Sequence, residues 1–151
     1  METKNLVAIL RKQKLNLENL LGLAKEKRKA LVGRKREDLE AVSKQEEKLI
    51  FSVQKIEKER IAVVNQIAAK NGLNAKSLKI GNLIEKLSKT EEQQTITQLR
   101  ELESEVKALL NELRKENGRN MFLIQHARKF IEQTMKAIFG EGKKSILDRK
   151  V

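Results

Sequence analysis

Apolar residues recur at intervals of seven along the first part of the chain. The series comprises Leu10, Leu17, Ala24 and Leu31. Leu6 and Leu20 accompany this series, whereas the polar residues Gln13 and Lys27 take comparable positions. Such spacing is typical of a helix that packs along another helix through a seam of apolar side chains. It predicts a first helix over about residues 3–32.

A second series of the same kind follows after a short interruption. It comprises Val42, Leu49, Ile56 and Val63, with Leu39, Val53 and Ile67 between them. Two polar residues, Glu46 and Arg60, interrupt the seam. An isolated helix cannot bury such a seam in water, and the connector is short. We therefore expect this second helix, over about residues 36–71, to lie antiparallel to the first.

Glycines mark the positions where these two helices are expected to end. Gly33 can close the first helix in a left-handed conformation, and Asn71-Gly72 can close the second. Glu37 and Asp38 then fall in the first turn of the second helix, where negative charge suits the helix dipole.

The segment after the second helix is too short and too mixed for another long helix. One helical face is formed by Leu83, Ile84 and Leu87. This spacing predicts a short helix over about residues 81–88. Thr90, followed by acidic and amide side chains through Gln93, matches a capping box that would begin a third long helix over about residues 90–139. At a rise of 1.5 Å per residue, that helix would reach about 75 Å.

The third helix changes character along its length. Its first half carries a narrow seam made of Leu99, Leu102, Val106, Leu109 and Leu113. The next positions that face the seam, or nearly face it, are occupied by Glu116, Asn117 and Asn120. The second half has a wider apolar face made of Leu123, Ile124, Phe130, Ile131, Ile138 and Phe139. Such a broad arc lets a helix contact two neighbours, or one neighbour and a partner protein. Residues 123–139 thus form either a partner-binding face or part of an intramolecular bundle or homodimer.

Composition narrows the fold class. The chain of 151 residues has no proline, seven glycines and only four aromatic residues, all phenylalanine. Charged residues make up 36% and hydrophobic residues 39%, which leaves little for a compact globule. We expect a single all-α domain over residues 1–151, an elongated antiparallel bundle of three long helices with a short helix before the third. The tail, residues 140–151, is expected to be loose.

The net charge of +12 is concentrated towards the two ends of the sequence. Residues 1–36 carry +8, residues 37–117 carry −1 and residues 118–151 carry +5. Basic ends can attract nucleic acid, or they can be the solvated faces of helices. The basic clusters lack nearby aromatic residues for base stacking. Nucleic acid is therefore an alternative partner and not the main expectation.

No catalytic or metal-binding pattern stands out in the sequence. The chain lacks cysteine, and its single histidine, His126, has no second histidine or cysteine with which to share a metal. Adjacent acidic pairs such as Glu46-Glu47 diverge on a helix, and the phosphate-binding glycine motifs are missing. We expect neither an enzyme nor a cofactor. No apolar run suits a signal peptide or a membrane span, so a cytoplasmic protein is expected.

Three stretches resemble the FlgN-type flagellar export chaperones in order, spacing and length. They are LLGLAKEKRKALVGRKREDLEAVSKQEEKLIFSVQKIEKERIAVVNQIAAKNGL (20–73), SLKIGNLIEKL (77–87) and LRELESEVKALLNELRKENGRNMFLIQHARKFIEQTMKAIFG (99–140). The combination that carries the resemblance consists of Ala30-Leu31, Glu57 and Arg60, Gly72-Leu73 before the short Leu-Ile helix, and Asn117 and Asn120 before the apolar C-terminal segment. The similarity covers most of the chain.

The resemblance implies a cytoplasmic chaperone that binds hook-filament junction (hook-associated) proteins. Such a chaperone prevents their premature polymerisation and delivers them to the flagellar type III export apparatus. It also implies that the C-terminal third supplies much of the contact with the cargo. Carried over to this sequence, the candidate partner-binding residues are Asn117, Asn120, Leu123, Ile124, Ala127, Phe130, Ile131, Thr134, Ile138 and Phe139.

The chain departs from the family pattern in one respect. Members often carry a tyrosine near the C-terminus that helps to engage the export gate, and this chain has no tyrosine. For a gate contact, Phe139 and Ile146 are the candidate replacements. Two other functions stay open from the residues alone. One is a basic helical protein that associates with nucleic acid, and the other is a structural coiled coil that self-associates; for the chaperone, at most a weak homo-oligomer is expected.

Overall fold

The computed structural model describes residues 2–74 and 79–139, and it contains four helices. Their bounds are α1, Glu2–Val32; α2, Arg36–Lys70; α3, Ile80–Leu87; and α4, Gln93–Phe139. Helix is the only regular secondary structure in these two ranges. The predicted all-α class, with three long helices and a short one before the last, is confirmed.

The first helix lies between the other two long helices. α1 packs along both α2 and α4, whereas α2 and α4 do not pack along each other within the described ranges. Lys27 near the end of α1 pairs with Glu46 near the start of α2, so these two helices are antiparallel as expected. α4 instead runs parallel to α1, because Thr3 contacts Glu91 before the start of α4 and α1 and α4 stay together further along. The path through α3 brings the chain back to the beginning of α1.

The main core lies at the end of the bundle where α1 begins and α2 ends. Its buried side chains come from all four helices and comprise Leu6, Val7, Leu10, Val64, Ile67, Leu83, Ile84, Leu87, Ile96, Leu99 and Leu102. α3 supplies three of them although it has only eight residues. The short helix therefore stabilises the fold through burial of apolar surface, at about 25 cal/mol for each Å² removed from water.

Polar interruptions in the two apolar seams meet each other. Gln13 donates a hydrogen bond of 2.6 Å from Nε2 to Oε2 of Glu57, which also pairs with Arg60 on its own helix. Closer to the turn, Nζ of Lys27 lies 3.2 Å from Oε1 of Glu46. Polar positions in a helical seam favour one register over others, since any slip would bury them against apolar partners. These contacts fix the alignment of α1 and α2.

The ends of α1 and α2 use the same backbone geometry with different residues. The end of α2 is as expected: Gly72 has a φ of +66°, and the N–H of Leu73 bonds to the carbonyl of Ala68 at 2.8 Å. At the end of α1 the left-handed residue is Arg34, with a φ of +54°, and not Gly33. Gly33 still donates to the helix, to the carbonyl of Lys29 at 2.9 Å, so the reversal falls one residue later.

The start of α4 also differs from the expected capping box. The N–H groups of Thr90 and Glu91 both bond to the carbonyl of Leu87, at 3.0 and 2.9 Å, and so they complete the end of α3. The hydroxyl of Thr90 faces the same carbonyl. α4 consequently begins at Gln93, and the carbonyl of Glu92 is an acceptor for its first turn.

The fourth helix is much longer than the helix beside it. Ala24 and Arg28 near the end of α1 contact Asn120 and Glu116 of α4. Since α1 ends at Val32, most of α4 after Asn120 extends past it, by roughly 20 Å at 1.5 Å per residue. The end of α4 therefore lacks α1 as a neighbour.

Candidate partner-binding surface

Large apolar side chains are exposed on α4 directly after Asn120 and near its end. Met121 is 55% exposed, Phe122 is 59% exposed and Ile138 is 65% exposed. Between them, Leu123 and Ile124 are half-buried. At 3.6 residues per turn, Met121, Ile124 and Ile138 lie within about 100° of one another around the helix, whereas Phe122 lies nearly opposite Ile138. Single apolar residues are common on protein surfaces, but several on one side of a helix are typical of a surface that binds another protein. We call Met121, Ile124 and Ile138 the distal face of α4.

The ten residues predicted to bind a partner have different environments. Asn117 and Ile138 are exposed, Leu123 and Ile124 are half-buried, and Asn120 is buried. The other five lie on α4 with side chains outside those that the structure describes, and they are Ala127, Phe130, Ile131, Thr134 and Phe139. The candidate gate residue Ile146 lies outside the described residues altogether.

Asn120 has a role within the chain that the sequence interpretation missed. Its side chain is 3% exposed, and Nδ2 donates a hydrogen bond of 2.9 Å to the carbonyl of Ala24. A buried amide that bonds across two helices holds them in one alignment. Contact between Asn120 and a partner stays a prediction, and it would require α4 to move away from α1.

Two exposed residues directly after Asn120, Met121 and Phe122, were not among the predicted ones. They belong to a run of four consecutive large apolar residues, 121–124. Four successive positions cover more than one face of a helix, so this run cannot be buried against a single neighbour. That run was the sequence signal that could have identified them.

A buried ion pair joins α4 to the last part of α1. Glu116 is 3% exposed, and its Oε1 lies 2.7 Å from Nη1 of Arg28 on α1. Arg119, one turn along α4, lies 3.5 Å from the other carboxylate oxygen. A buried carboxylate needs such partners because its desolvation is costly. Glu116 and Asn120 therefore anchor α4 to α1 directly before the distal face begins.

A cavity lies midway along the bundle, between α2 and α4 and over α1. Its volume is about 300 Å³, and we call it the α2/α4 groove. It is lined by Gln13, Asn16, Leu17, Val53, Glu57, Val106 and Leu110. Leu110 is 48% exposed, and Val53 and Val106 are half-buried. The predicted seam of α4 is thus covered at Leu99 and Leu102 but partly open from Val106 onwards.

The ionisable groups beside this groove are paired. Hydrogen bonds from Arg60 hold the pKa of the Glu57 carboxyl below its ordinary value, and the same contact raises the pKa of Arg60. Across the bundle, a hydrogen bond with Glu105 raises the pKa of Lys14. A carboxylate with a lowered pKa in an ion pair is a poor general base at neutral pH. These groups fit a structural role better than a catalytic one.

Features of other kinds of site are few in the described residues. In residues 2–74 and 79–139, no group of three or more His, Cys, Asp and Glu side chains could hold a metal ion. None of the four helices, as far as they are described, has a stretch long and apolar enough to cross a membrane. A small basic cluster, Arg34, Lys35 and Arg36, is exposed at the turn between α1 and α2.

Comparison with known proteins gives one match. The model of the family described as FlgN protein matches residues 1–147. No curated protein and no solved structure matches the chain.

Proposed function

This chain belongs to the FlgN family of flagellar chaperones, and from that premise we propose that it binds hook-filament junction proteins through the distal face of α4. It keeps them from polymerising before export and delivers them to the flagellar export apparatus. The chaperone acts in the cytoplasm, where these cargoes are made.

The observation that carries this proposal is the exposure of Met121 and Ile138 on one side of a helix that extends past α1. A terminal segment of a cargo that folds into an amphipathic helix could cover these side chains. Burial of the apolar surface would favour the complex, while ordering of the cargo segment would offset part of that gain. Such a balance suits a chaperone, which has to protect its cargo and then release it.

Calorimetry with a purified junction protein tests the proposal. The full chain is compared with the double variant Met121→Ser and Ile138→Ser, which removes two exposed apolar side chains from the distal face. Phe51→Ser is a control, because Phe51 is an exposed large apolar residue on α2. We expect the double variant to bind at least about tenfold more weakly, as is usual when central interface residues are removed, and the control to bind normally. Failure of the full chain to bind several junction proteins would contradict the proposal.

A second candidate function is attraction of nucleic acid by the exposed cluster Arg34, Lys35 and Arg36. Binding of this type depends on phosphates and weakens steeply as salt rises to the physiological range. Fluorescence anisotropy with generic DNA and RNA at two salt concentrations distinguishes it from cargo binding. Binding that weakens steeply between low and physiological salt, and that is lost when the three basic residues are replaced by Ser, would favour nucleic acid over cargo.

A further inference from the structure

The space between α2 and α4 is filled at one end of the bundle. There α3 lies against the start of α4 and buries three side chains, Leu83, Ile84 and Leu87. They share one core with Leu10 of α1, Val64 of α2 and Leu102 of α4. α3 is thus a short helix that packs along the start of α4 and completes the core at this end of the bundle.

Further along the bundle, the same space holds no helix of the described chain. Gly81 at the start of α3 approaches Glu103 so closely that an added Cβ would lie 3.2 Å from Oε1. The next turns of α4 carry Val106 and Leu110, which line the α2/α4 groove. The groove therefore begins where α3 begins, on the side away from the core.

One buried polar atom in the α2/α4 groove is unused by the described chain. The side-chain nitrogen of Asn16 is enclosed and has no hydrogen-bond partner among the described residues. Leaving such a donor unpaired costs free energy, but because the chain itself encloses this atom, an incoming side chain would reach it only after the Asn16 side chain had rotated. The other lining residues are mostly apolar or already paired, as Glu57 is with Arg60.

An apolar stripe on α4 joins the α2/α4 groove to the distal face. It consists of Val106, Leu110, Leu113, Asn117 and Ile124, with Asn117 as its one polar member. Spacings of four, three, four and seven residues place these positions along one side of a helix. Leu110 and Asn117 are exposed, and the other three are half-buried.

From this continuity we propose that the cargo helix follows α4 from the distal face into the α2/α4 groove and ends against the start of α3. The proposal rests on the proposed function, since it extends the same binding surface. The occupant is an amphipathic helix of the cargo, with apolar residues three or four positions apart. From Ile138 to Val106 such a helix would run about 48 Å at 1.5 Å per residue.

A second copy of the chain is a poorer occupant than a cargo helix. Each chain carries a net charge of +12, so two copies repel each other. α3 shows the chemistry that this space accepts, a short helix with Leu83, Ile84 and Leu87 turned into the core. A cargo helix with similar apolar residues and less positive charge fits the groove without that repulsion.

Site-specific crosslinking tests the proposal with the full chain. The protein has no cysteine, so single cysteines can be introduced and labelled with a benzophenone maleimide. The positions are Leu110→Cys in the groove, Met121→Cys on the distal face, and the control Leu15→Cys, an exposed leucine of α1 that does not line the groove. A purified junction protein is added, and its binding is verified by calorimetry before irradiation.

We expect labels at 110 and 121 to react with the same helix of the cargo, at points about 11 residues apart, because both helices rise equally per residue. The label at 15 should give no product. Crosslinks from 121 without any from 110, in a complex that calorimetry shows to form, would overturn the groove proposal and leave the proposed function standing. Products that join two copies of the chain through position 110 would overturn it in favour of a dimer. Absence of binding in calorimetry would refute both proposals.

A charge introduced into the groove gives an independent measurement. Leu110→Arg is tolerated by the free chain because the side chain is half-exposed, but a bound helix would have to cover the new charge. We expect cargo affinity to fall about tenfold or more, with unchanged helical content. Leu15→Arg should leave affinity unchanged. Equal affinities for both variants would contradict occupancy of the groove.

Discussion

Asn120 of α4 donates a hydrogen bond of 2.9 Å from its side-chain amide to the backbone carbonyl of Ala24 on α1. This contact joins the two helices about two turns before α1 ends at Val32. Beside it, Arg28 of α1 pairs with the buried Glu116. Together these contacts hold α4 to α1 before α4 extends past the end of α1.

Replacing Asn120 with Ala should destabilise the fold by about 1 kcal/mol, the usual contribution of one hydrogen bond between uncharged groups. Urea unfolding followed by circular dichroism measures this change. Asn117→Ala is the matched control, since Asn117 is exposed one turn earlier on the same helix. We expect the control to change the free energy of unfolding by less than about 0.5 kcal/mol. Equal effects of both substitutions would show that the bond to Ala24 contributes nothing.

Arg34→Gly should stabilise the protein. Arg34 has a φ of +54°, a conformation in which a residue with a Cβ is less favourable than glycine by about 1 kcal/mol. The mirror experiment is Gly72→Ala at the end of α2, where φ is +66° and where we expect a loss of about 1 kcal/mol. Thermal and urea unfolding measure both. A loss of stability in Arg34→Gly would mean that its side chain contributes more than its backbone costs.

Lys27 and Glu46 form a partly buried ion pair in the α1/α2 seam. We expect the single substitution Lys27→Leu to lower the free energy of unfolding, and the double substitution not to lower it. Lys27→Leu alone leaves the Glu46 carboxylate largely enclosed without its partner, so we expect a loss of about 1–2 kcal/mol. The double variant with Leu at both positions replaces the pair by apolar contact and should be as stable as the natural chain, or more stable. Urea unfolding of the three variants and the parent gives the coupling free energy. A double variant less stable than Lys27→Leu would contradict this explanation.

The Glu57 and Arg60 pair predicts a dependence of stability on pH. Because Arg60 lowers the pKa of Glu57 in the folded chain, this carboxylate contributes stability above its unfolded pKa, near the ordinary value of 4.5. The contribution is lost as pH falls below that value and through the lowered pKa. The difference in the free energy of unfolding between the parent and Glu57→Gln should therefore be largest near neutral pH and should shrink below about pH 4. A difference that does not change between neutral and acidic pH would rule out this pair as its source.

Helix boundaries were largely predictable because they depend on neighbouring residues. The seven-residue spacing in α1 and α2, and the face of Leu83, Ile84 and Leu87, indicated helices close to those observed. Local hydrogen bonds decided the exceptions. Thr90 completes α3 and does not cap α4, and Arg34 takes the left-handed position next to Gly33. These positions therefore differ from the predicted ones by one to three residues, because the backbone N–H groups there bond to the preceding helix.

The candidate surface was only partly predictable. A wide apolar face after Asn120 was visible in the sequence, and Met121, Phe122 and Ile138 are exposed there. The assignment of Asn120 to a partner did not foresee its bond to Ala24, because an amide pattern does not indicate which side chain or carbonyl will lie opposite. The α2/α4 groove was not foreseen either, since each of its walls belongs to an ordinary helical seam.

The sequence by itself determined that this chain forms long helices, with breaks near Gly33 and Gly72 and polar residues inside apolar seams, because periodicity and backbone preference act over a few residues. Only the tertiary structure decided that α4 pairs in parallel with α1, and that α2 and α4 stay apart. Leucine-rich seams of similar shape can pair in several ways, so the choice between them depends on long-range contacts such as those of Asn120 and Glu116 and on where α3 is seated.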